Sequence, residues 1–225
     1  MRNNARPQLS RFLLIVFDLD GTLVDSRRDI SDAANALLEA CGAGRLPEHR
    51  IGRMVGDGAA TLVARAFEFS GIEQPPDALA RFLALYDERL LNHTRPYPGM
   101  PGVLDMLARR AKLAVLTNKP IAATRRILAG LELARYFPED AVIGGDGPFP
   151  RKPEPAGLQH LIDRAGVVAE SALVVGDSII DWRVARAAAT PVCLAKYGFG
   201  FESIPAQDIR PCDRIIHAPA ELLAL

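Results

Sequence analysis

Seven residues of this chain have types and spacings that could do chemistry together: Asp18, Asp20, Thr117, Asn118, Lys152, Asp177 and Asp181. Asp18 and Asp20 stand two apart in Asp18-Leu19-Asp20-Gly21, and Asp177 and Asp181 four apart in Gly176-Asp177-Ser178-Ile179-Ile180-Asp181. Carboxylates with no His or Cys cluster beside them make an oxygen-only ligand set, which suits a hard cation that keeps waters, above all magnesium, and disfavours zinc. Acids gathered in one place repel unless a cation neutralises them, so their convergence predicts a metal, with Lys152 adding a further positive charge. The Thr117 hydroxyl, the Asn118 backbone and the Lys152 ammonium offer donors suited to the oxygens of a phosphoryl group. Phosphoryl transfer needs such a set. Metal and lysine carry the transition-state charge, one carboxylate can attack in line, and a second can handle the proton. Alone, Asp18-x-Asp20-Gly21 reads by default as an ordinary turn closing a strand.

Whether the seven meet depends on the elements that carry them. Residues 12–17 form a continuous apolar run, too short for a buried helix and ending at Asp18, which reads as a central strand of a parallel sheet covered on both faces. After Ser26 the pattern turns helical. Ile30, Ala33, Ala34, Leu37, Leu38 and Cys41 keep three-and-four spacing up to Gly42. A short helical piece with Ile51, Met54 and Val55 follows, then a helix over 59–70. Pro75-Pro76 opens a longer one, with Leu79, Phe82, Leu83, Tyr86 and Leu90 inward. No strand candidate lies between Ser26 and His93. Residues 26–95 therefore read as an all-α cap subdomain inserted into an α/β catalytic core of residues 1–25 and 96–225, joined through 24–28 and the Pro/Gly-rich 95–102.

Beyond the cap, helices over 103–110, 120–129, 155–164 and 181–189 alternate with strands over 112–116, 141–143, 172–175 and 192–195. An edge strand at 215–216 and a last short helix over 219–225 complete the pattern. That alternation predicts right-handed crossovers and a doubly wound, Rossmann-like parallel sheet. The carboxyl ends of its strands share one edge, which brings Asp18 and Asp20, Thr117 and Asn118, and Asp177 and Asp181 together. Lys152 lies in the loop after 141–143, framed by a proline-started helix near the same edge.

The totals exclude several classes. The 225 residues are 49% hydrophobic and 24% charged, a globular composition, and 27 Lys+Arg balance 27 Asp+Glu, so no polyanion-binding surface or nucleic-acid partner is expected. Cys41, Cys193 and Cys212 are odd in number and far apart, which suits reduced core thiols and a cytoplasmic setting. Met1 to Arg6 reads as a frayed start, because the apolar run after it is interrupted by Asp18 and Asp20 and lacks a small-residue cleavage site. No later stretch is long enough to span a membrane. The expected partner is a small phosphorylated metabolite, and the expected state a monomer or homodimer.

The motifs Asp18-x-Asp20-Gly21-Thr22-Leu23-Val24-Asp25-Ser26, Thr117-Asn118, Lys152-Pro153 and Gly176-Asp177-Ser178-x-x-Asp181 resemble the four ordered motifs of the haloacid dehalogenase superfamily. The helical insertion resembles the four-helix cap of phosphoglycolate phosphatases, beta-phosphoglucomutases and phosphonatases. Residues 56–62, 142–146 and 196–200 look most like the phosphoglycolate phosphatase branch. The resemblance implies a magnesium-dependent phosphomonoester hydrolase for 2-phosphoglycolate, with a cap that closes over the site and excludes water. The alternatives are another small phosphate such as a sugar phosphate or pyrophosphate, a phosphomutase, or a non-catalytic binding module. It also implies that Asp18 is the nucleophile forming an aspartyl-phosphate, and that Asp20 protonates the leaving alkoxide and then deprotonates water. Thr117 and Lys152 would hold the phosphoryl group. Magnesium would be bound by one Asp18 oxygen, the Asp20 backbone carbonyl and Asp177, with Asp181 direct or through water. The chain departs from the pattern at Ile179-Ile180, where a polar or charged pair is usual, and at Thr190, where a glycine commonly ends the helix.

In the cap, Gly56 and Gly58 break two helices and would let backbone amides approach a small anion, although a plain helix-joining turn explains them equally. Arg53 and Arg65 flank this break and could reach a substrate carboxylate, but a solvated helix face explains each more readily. Asp25-Ser26 either caps the first cap helix, braces the hinge or touches substrate. No role is expected for His49, His93, His160 or His217.

Overall fold

The computed structural model describes residues 12–225, so the frayed start expected at 1–6 lies outside the described residues. The first strand, β1 (Leu14–Phe17), is buried at every position. Ile15 and Phe17 enter one core layer while Leu14 and Val16 enter the other, which is why this strand is continuously apolar in sequence. It is shorter than the 12–17 run, and Leu13 just before it is exposed.

Two residues each make β2 (Val24–Asp25) and β3 (Arg95–Pro96), an antiparallel pair at the two crossings between the helical segment and the sheet. Between them run α1 (Arg27–Ala40), α2 (Glu48–Gly52), α3 (Ala59–Ser70) and α4 (Ala78–Arg89). The apolar stripe of α1, including Ile30, Leu37 and Leu38, and Phe82 and Tyr86 of α4 share one buried cluster. Asn35 closes the turn after α1, its amide donating to the Leu46 carbonyl at 3.0 Å and its Oδ1 accepting the Leu46 N–H at 2.7 Å. Asp29, buried in the first turn of α1, accepts the Thr94 N–H and Thr94 hydroxyl at 2.7 Å and the His93 N–H at 2.9 Å. The outgoing and returning crossings are thereby tied to each other.

From α5 (Met100–Leu107) onward the chain alternates through β4 (Lys112–Leu116), α6 (Ile121–Gly130), β5 (Val142–Ile143), α7 (Ala156–Ala165), β6 (Ala172–Gly176), α8 (Ile179–Ala187), β7 (Val192–Ala195) and β8 (Arg214–Ile216). Six strands form one parallel sheet in the order β5-β4-β1-β6-β7-β8. Val103 and Leu104 of α5 and Ile127 of α6 pack on one face. Leu158 and Leu161 of α7 and Val184 of α8 pack on the other. This is the doubly wound α/β arrangement that the alternation predicts.

Of three differences from the sequence reading, the first two have local causes. The helix expected from 181 begins at Ile179, because Ser178 caps it and Asp181, three residues on, accepts the Ser178 N–H at 3.1 Å. The helix expected from 103 begins at Met100, where Gly99 with φ 82° ends the linker and Pro101 fits the first turn. The last helix, Pro219–Ala224, is a 3-10 helix. Among the described residues no helix is long and apolar enough to cross a membrane.

Candidate active site

The central strands deliver the polar residues. β1 ends at Phe17 and hands the chain to Asp18 and Asp20, β4 ends at Leu116 before Thr117-Asn118-Lys119, and β6 ends at Gly176 before Asp177. Register aligns Phe17 with Val115 on one side and Val175 on the other, so the three loaded turns sit side by side. Lys152 arrives from the loop between β5 and α7. Asp18, Asp20, Thr117, Asn118, Lys152, Asp177 and Asp181 are all buried there.

The four carboxylates have different surroundings. Lys152 Nζ donates to Asp18 Oδ1 at 2.8 Å and to Asp181 Oδ1 at 2.7 Å. Asp181 Oδ2 accepts the Ser178 N–H at 3.1 Å and the Ser178 hydroxyl at 2.6 Å, so both its oxygens are engaged. Asp20 accepts the Ser26 hydroxyl at 2.5 Å and Lys119 Nζ at 2.8 and 3.0 Å, and both its oxygens are engaged as well. Asp177 Oδ2 accepts the Gly200 N–H at 2.7 Å. Among the described residues no hydrogen bond reaches Asp18 Oδ2 or Asp177 Oδ1. These two oxygens are the open ones.

Four carboxylates against two ammonium groups leave two negative charges, the charge of one divalent cation. The protonation tendencies show the imbalance. Burial pushes Asp18 up to about 6 against the pull of Lys152. Burial, with Asp181 and Asp18 nearby, pushes Asp177 well above the ordinary carboxylate range. Burial works against the charge on Lys152, but Asp18 and Asp181 more than offset it and hold its pKa above the usual lysine value. Asp18, Asp177 and Asp181 each place a carboxylate oxygen within 4.8 Å of the others, and this all-oxygen set fits a hard divalent cation. Asp181, its oxygens already taken, is suited to orienting from behind.

The packing around these acids leaves no room for side chains. A Cβ on Gly21, whose φ is +86°, would overlap the Asp177 carboxylate. Gly21→Ala is therefore expected to cost about 2–4 kcal/mol, a positive-φ penalty plus overpacking. The check is the urea midpoint, with metal affinity falling in parallel.

A cavity of about 310 Å³ opens in front of Asp18 and Asp20. Thr117, Asn118 and Lys119 line it from the sheet side, Gly56 and Gly58 from the turn between α2 and α3, and Leu62, Phe82 and Tyr86 from the helices. Lys152 does not line this wall, and its ammonium stands beside the Asp18 carboxylate, 2.8 Å from Oδ1. The Asn118 side chain is committed to positioning: its amide donates to the Gly56 and Lys152 carbonyls, both at 2.9 Å. Arg53 pairs with Glu202 and Arg65 with Asp57, away from the wall. Ile179, at the departure from the family pattern, packs on the second core layer and donates its N–H to the Ser203 hydroxyl at 3.0 Å.

The sequence alone marks Lys119 as part of the polar strand end Thr117-Asn118-Lys119 without giving it a role, and leaves Ser26 open between capping, bracing the hinge and substrate contact. Ser26 precedes α1 without capping it, because its hydroxyl is given to Asp20.

A doubly wound sheet with a helical insertion after its first strand, and aspartates at that strand's end facing a lysine, defines a class of hydrolase. The chain belongs to the haloacid dehalogenase-like hydrolases, whose family profile matches residues 15–195. Among its relatives, the phosphoglycolate phosphatase of Rhodospirillum rubrum is 44% identical over 199 residues, covering 84% of this chain and 82% of that protein. The plasmid phosphoglycolate phosphatase of Cupriavidus necator is 36% identical over 196 residues, covering 85% and 84%. The crystal structure of a "predicted phosphoglycolate phosphatase" from Haemophilus somnus 129PT superposes with a TM-score of 0.88 at 32% identity, covering 96% of this chain and 98% of that one.

Proposed function

We propose that the protein is a magnesium-dependent phosphomonoester hydrolase that works through an aspartyl-phosphate on Asp18 and cleaves 2-phosphoglycolate to glycolate and phosphate. The observation that carries this reading is the division of labour between two neighbouring acids. Asp18 keeps one oxygen free of hydrogen bonds at the cavity, while Asp20 is fixed by Ser26 and Lys119. The first is built to attack, the second to hold a position beside the leaving group. The choice of ester is supported by the relatives of Rhodospirillum rubrum and Cupriavidus necator, both named phosphoglycolate phosphatase.

In this mechanism Asp20 takes up a proton as the ester binds; an Asp18 oxygen then attacks phosphorus in line as the bond to the ester oxygen breaks, and Asp20 gives that proton to the leaving alkoxide. Asp20 then takes a proton from water, whose oxygen attacks the same phosphorus. Phosphate leaves, and the Asp18 carboxylate is restored. Lys152 holds Asp18 in aim and, with the Thr117 hydroxyl, steadies the phosphoryl oxygens. Asp18, Asp177 and the Asp20 backbone carbonyl would hold magnesium, with Asp181 behind them. When bound, the ion supplies positive charge against the phosphoryl oxygens. Residues 26–95 act as the cap over a core of 1–25 and 96–225, keeping water from the reacting centre. The setting is the cytoplasm, the partner a small phosphorylated metabolite, and the working state a monomer or homodimer.

The test is phosphate release from a panel holding 2-phosphoglycolate, sugar phosphates and pyrophosphate, with and without magnesium. The expected result is magnesium-dependent release with the highest kcat/KM on 2-phosphoglycolate. A different winner replaces the substrate and keeps the mechanism; no release from any ester replaces both.

Magnesium should also stabilise the fold. At a concentration 100 times its Kd the gain is about 2.7 kcal/mol, read as a concentration-dependent rise in Tm. Asp177→Asn keeps an acceptor for Gly200 and removes a buried repelling charge. Without metal it should therefore be more stable than wild type by roughly 0.5–2 kcal/mol, while its magnesium-dependent rise in Tm is lost.

A further inference from the structure

We propose that Lys119 and Tyr86 form a receptor for a second anionic group of the substrate, a carboxylate two bonds from the ester oxygen. The inference rests on the hydrolase reading above and names the groups that choose among small esters.

Lys119 is the single cationic side chain among the described residues that line the cavity. It lies deep in the wall, its side chain 5% exposed, with Nζ 2.8 and 3.0 Å from the two Asp20 oxygens. Two of the three donations an ammonium can make go to Asp20. Nζ also lies 4.6 Å from the centre of the Tyr86 ring, which α4 brings down from the helical segment. The Tyr86 hydroxyl is buried with its oxygen toward the Lys119 ammonium, and its proton is given to no acceptor among the described residues. A polar group left unpaired in the dry wall of a ligand cavity is costly unless a ligand completes it. Burial pushes its pKa up to about 12, so it stays a donor at neutral pH.

Position decides which ligand group fits. Asp20 serves the ester oxygen, so that oxygen sits beside Asp20, and Lys119 begins one hydrogen bond further out. A carboxylate joined to the ester oxygen through a single carbon reaches Lys119 and the Tyr86 hydroxyl together. The neighbouring wall carries Leu62, Phe82, Leu83 and the acidic Asp87, so an anion on a longer chain would meet hydrocarbon or a like charge instead. A neutral substituent would leave the Tyr86 hydroxyl unpaired. Sites that hydrogen-bond a substrate group discriminate strongly against analogues that lack it.

The experiment uses the full chain carrying Asp18→Asn, with magnesium present, titrated calorimetrically with 2-phosphoglycolate and with 2-hydroxyethyl phosphate, which carries CH₂OH in place of the carboxylate. The preference for 2-phosphoglycolate is expected to be on the order of 10- to 100-fold, the scale of a charge-assisted contact. Adding Tyr86→Phe, which keeps the ring under Lys119, should cut this ratio about tenfold, and adding Lys119→Met should bring it near one. The proposal is overturned if Tyr86→Phe leaves the ratio intact, if Lys119→Met weakens both ligands equally, or if the starting protein has no preference. Turnover by the protein with Asp18 intact is scored separately. A preference without turnover keeps the receptor and removes the hydrolase reading; turnover without a preference does the reverse.

Discussion

Asp18→Asn is expected to abolish phosphate release from every ester the wild-type protein hydrolyses, by roughly 10⁴-fold or more, the scale reached when a covalent nucleophile is removed. The amide keeps the size of the carboxylate and an oxygen to accept from Lys152, so the fold has no steric reason to change. What is lost is the unengaged anionic oxygen at the cavity. Loss of the charge also removes the cost of burial that, with Asp181 nearby, pushes Asp18 up to about 6. Stability without metal should therefore hold or rise as activity disappears. A dead and well-folded variant, judged by rapid-quench phosphate release and by its urea midpoint, supports Asp18 as the attacking group. Retention of even a few per cent of kcat would move that role elsewhere.

Lys152→Met should do damage of another kind. Its side chain is 4% exposed and its ammonium is the shared partner of Asp18 and Asp181, which are 11% and 1% exposed at the side chain. Removing one member of a buried ion pair leaves the other charge without compensation, at a cost of about 3–5 kcal/mol. That is a large share of the 5–15 kcal/mol that typically holds a domain together. The loss should be greatest without magnesium and partly recovered when the metal is added. A double-mutant cycle isolates the cause. Asp181→Asn, destabilising alone because it deprives Lys152 of a partner, should become neutral or stabilising beside Lys152→Met. Equal and additive losses would mean that packing of the lysine stem matters more than its charge.

The sheet and the main site were legible because a parallel sheet separates its signals cleanly. Leu14–Phe17 and Ala172–Gly176 are apolar through their length, and the first polar residues after them, Asp18 and Asp177, mark the edge where ligands gather. The β2–β3 pair was not legible as strands, since two residues are too few to show a period. The start of α8 was obscured by Ile179-Ile180, which prolongs the apolar impression of β6. The signal that places it is Ser178 followed three residues later by Asp181. Lys119 was hidden for a different reason. Its partner Asp20 lies 99 positions away, and no local pattern tells a lysine that reaches across a sheet from one that points to water. Ser26 was ambiguous because a serine before a helix is usually its cap, and only the fold shows the hydroxyl turned toward Asp20.

The Asn118 amide touches three separate stretches of chain at once: its own strand end, the carbonyl of Gly56 in the helical segment and the carbonyl of Lys152. It works as a mechanical link between the aperture and the phosphate grip. Any swing of the helices that carries Gly56 away must break one of its two bonds, loosening the residue that also tethers the Lys152 backbone. Ligand occupancy and aperture width then belong to a single equilibrium. A small ester that draws the helices down firms up the lysine that holds its phosphate, and one that fails to do so is gripped less well at the far end of the molecule.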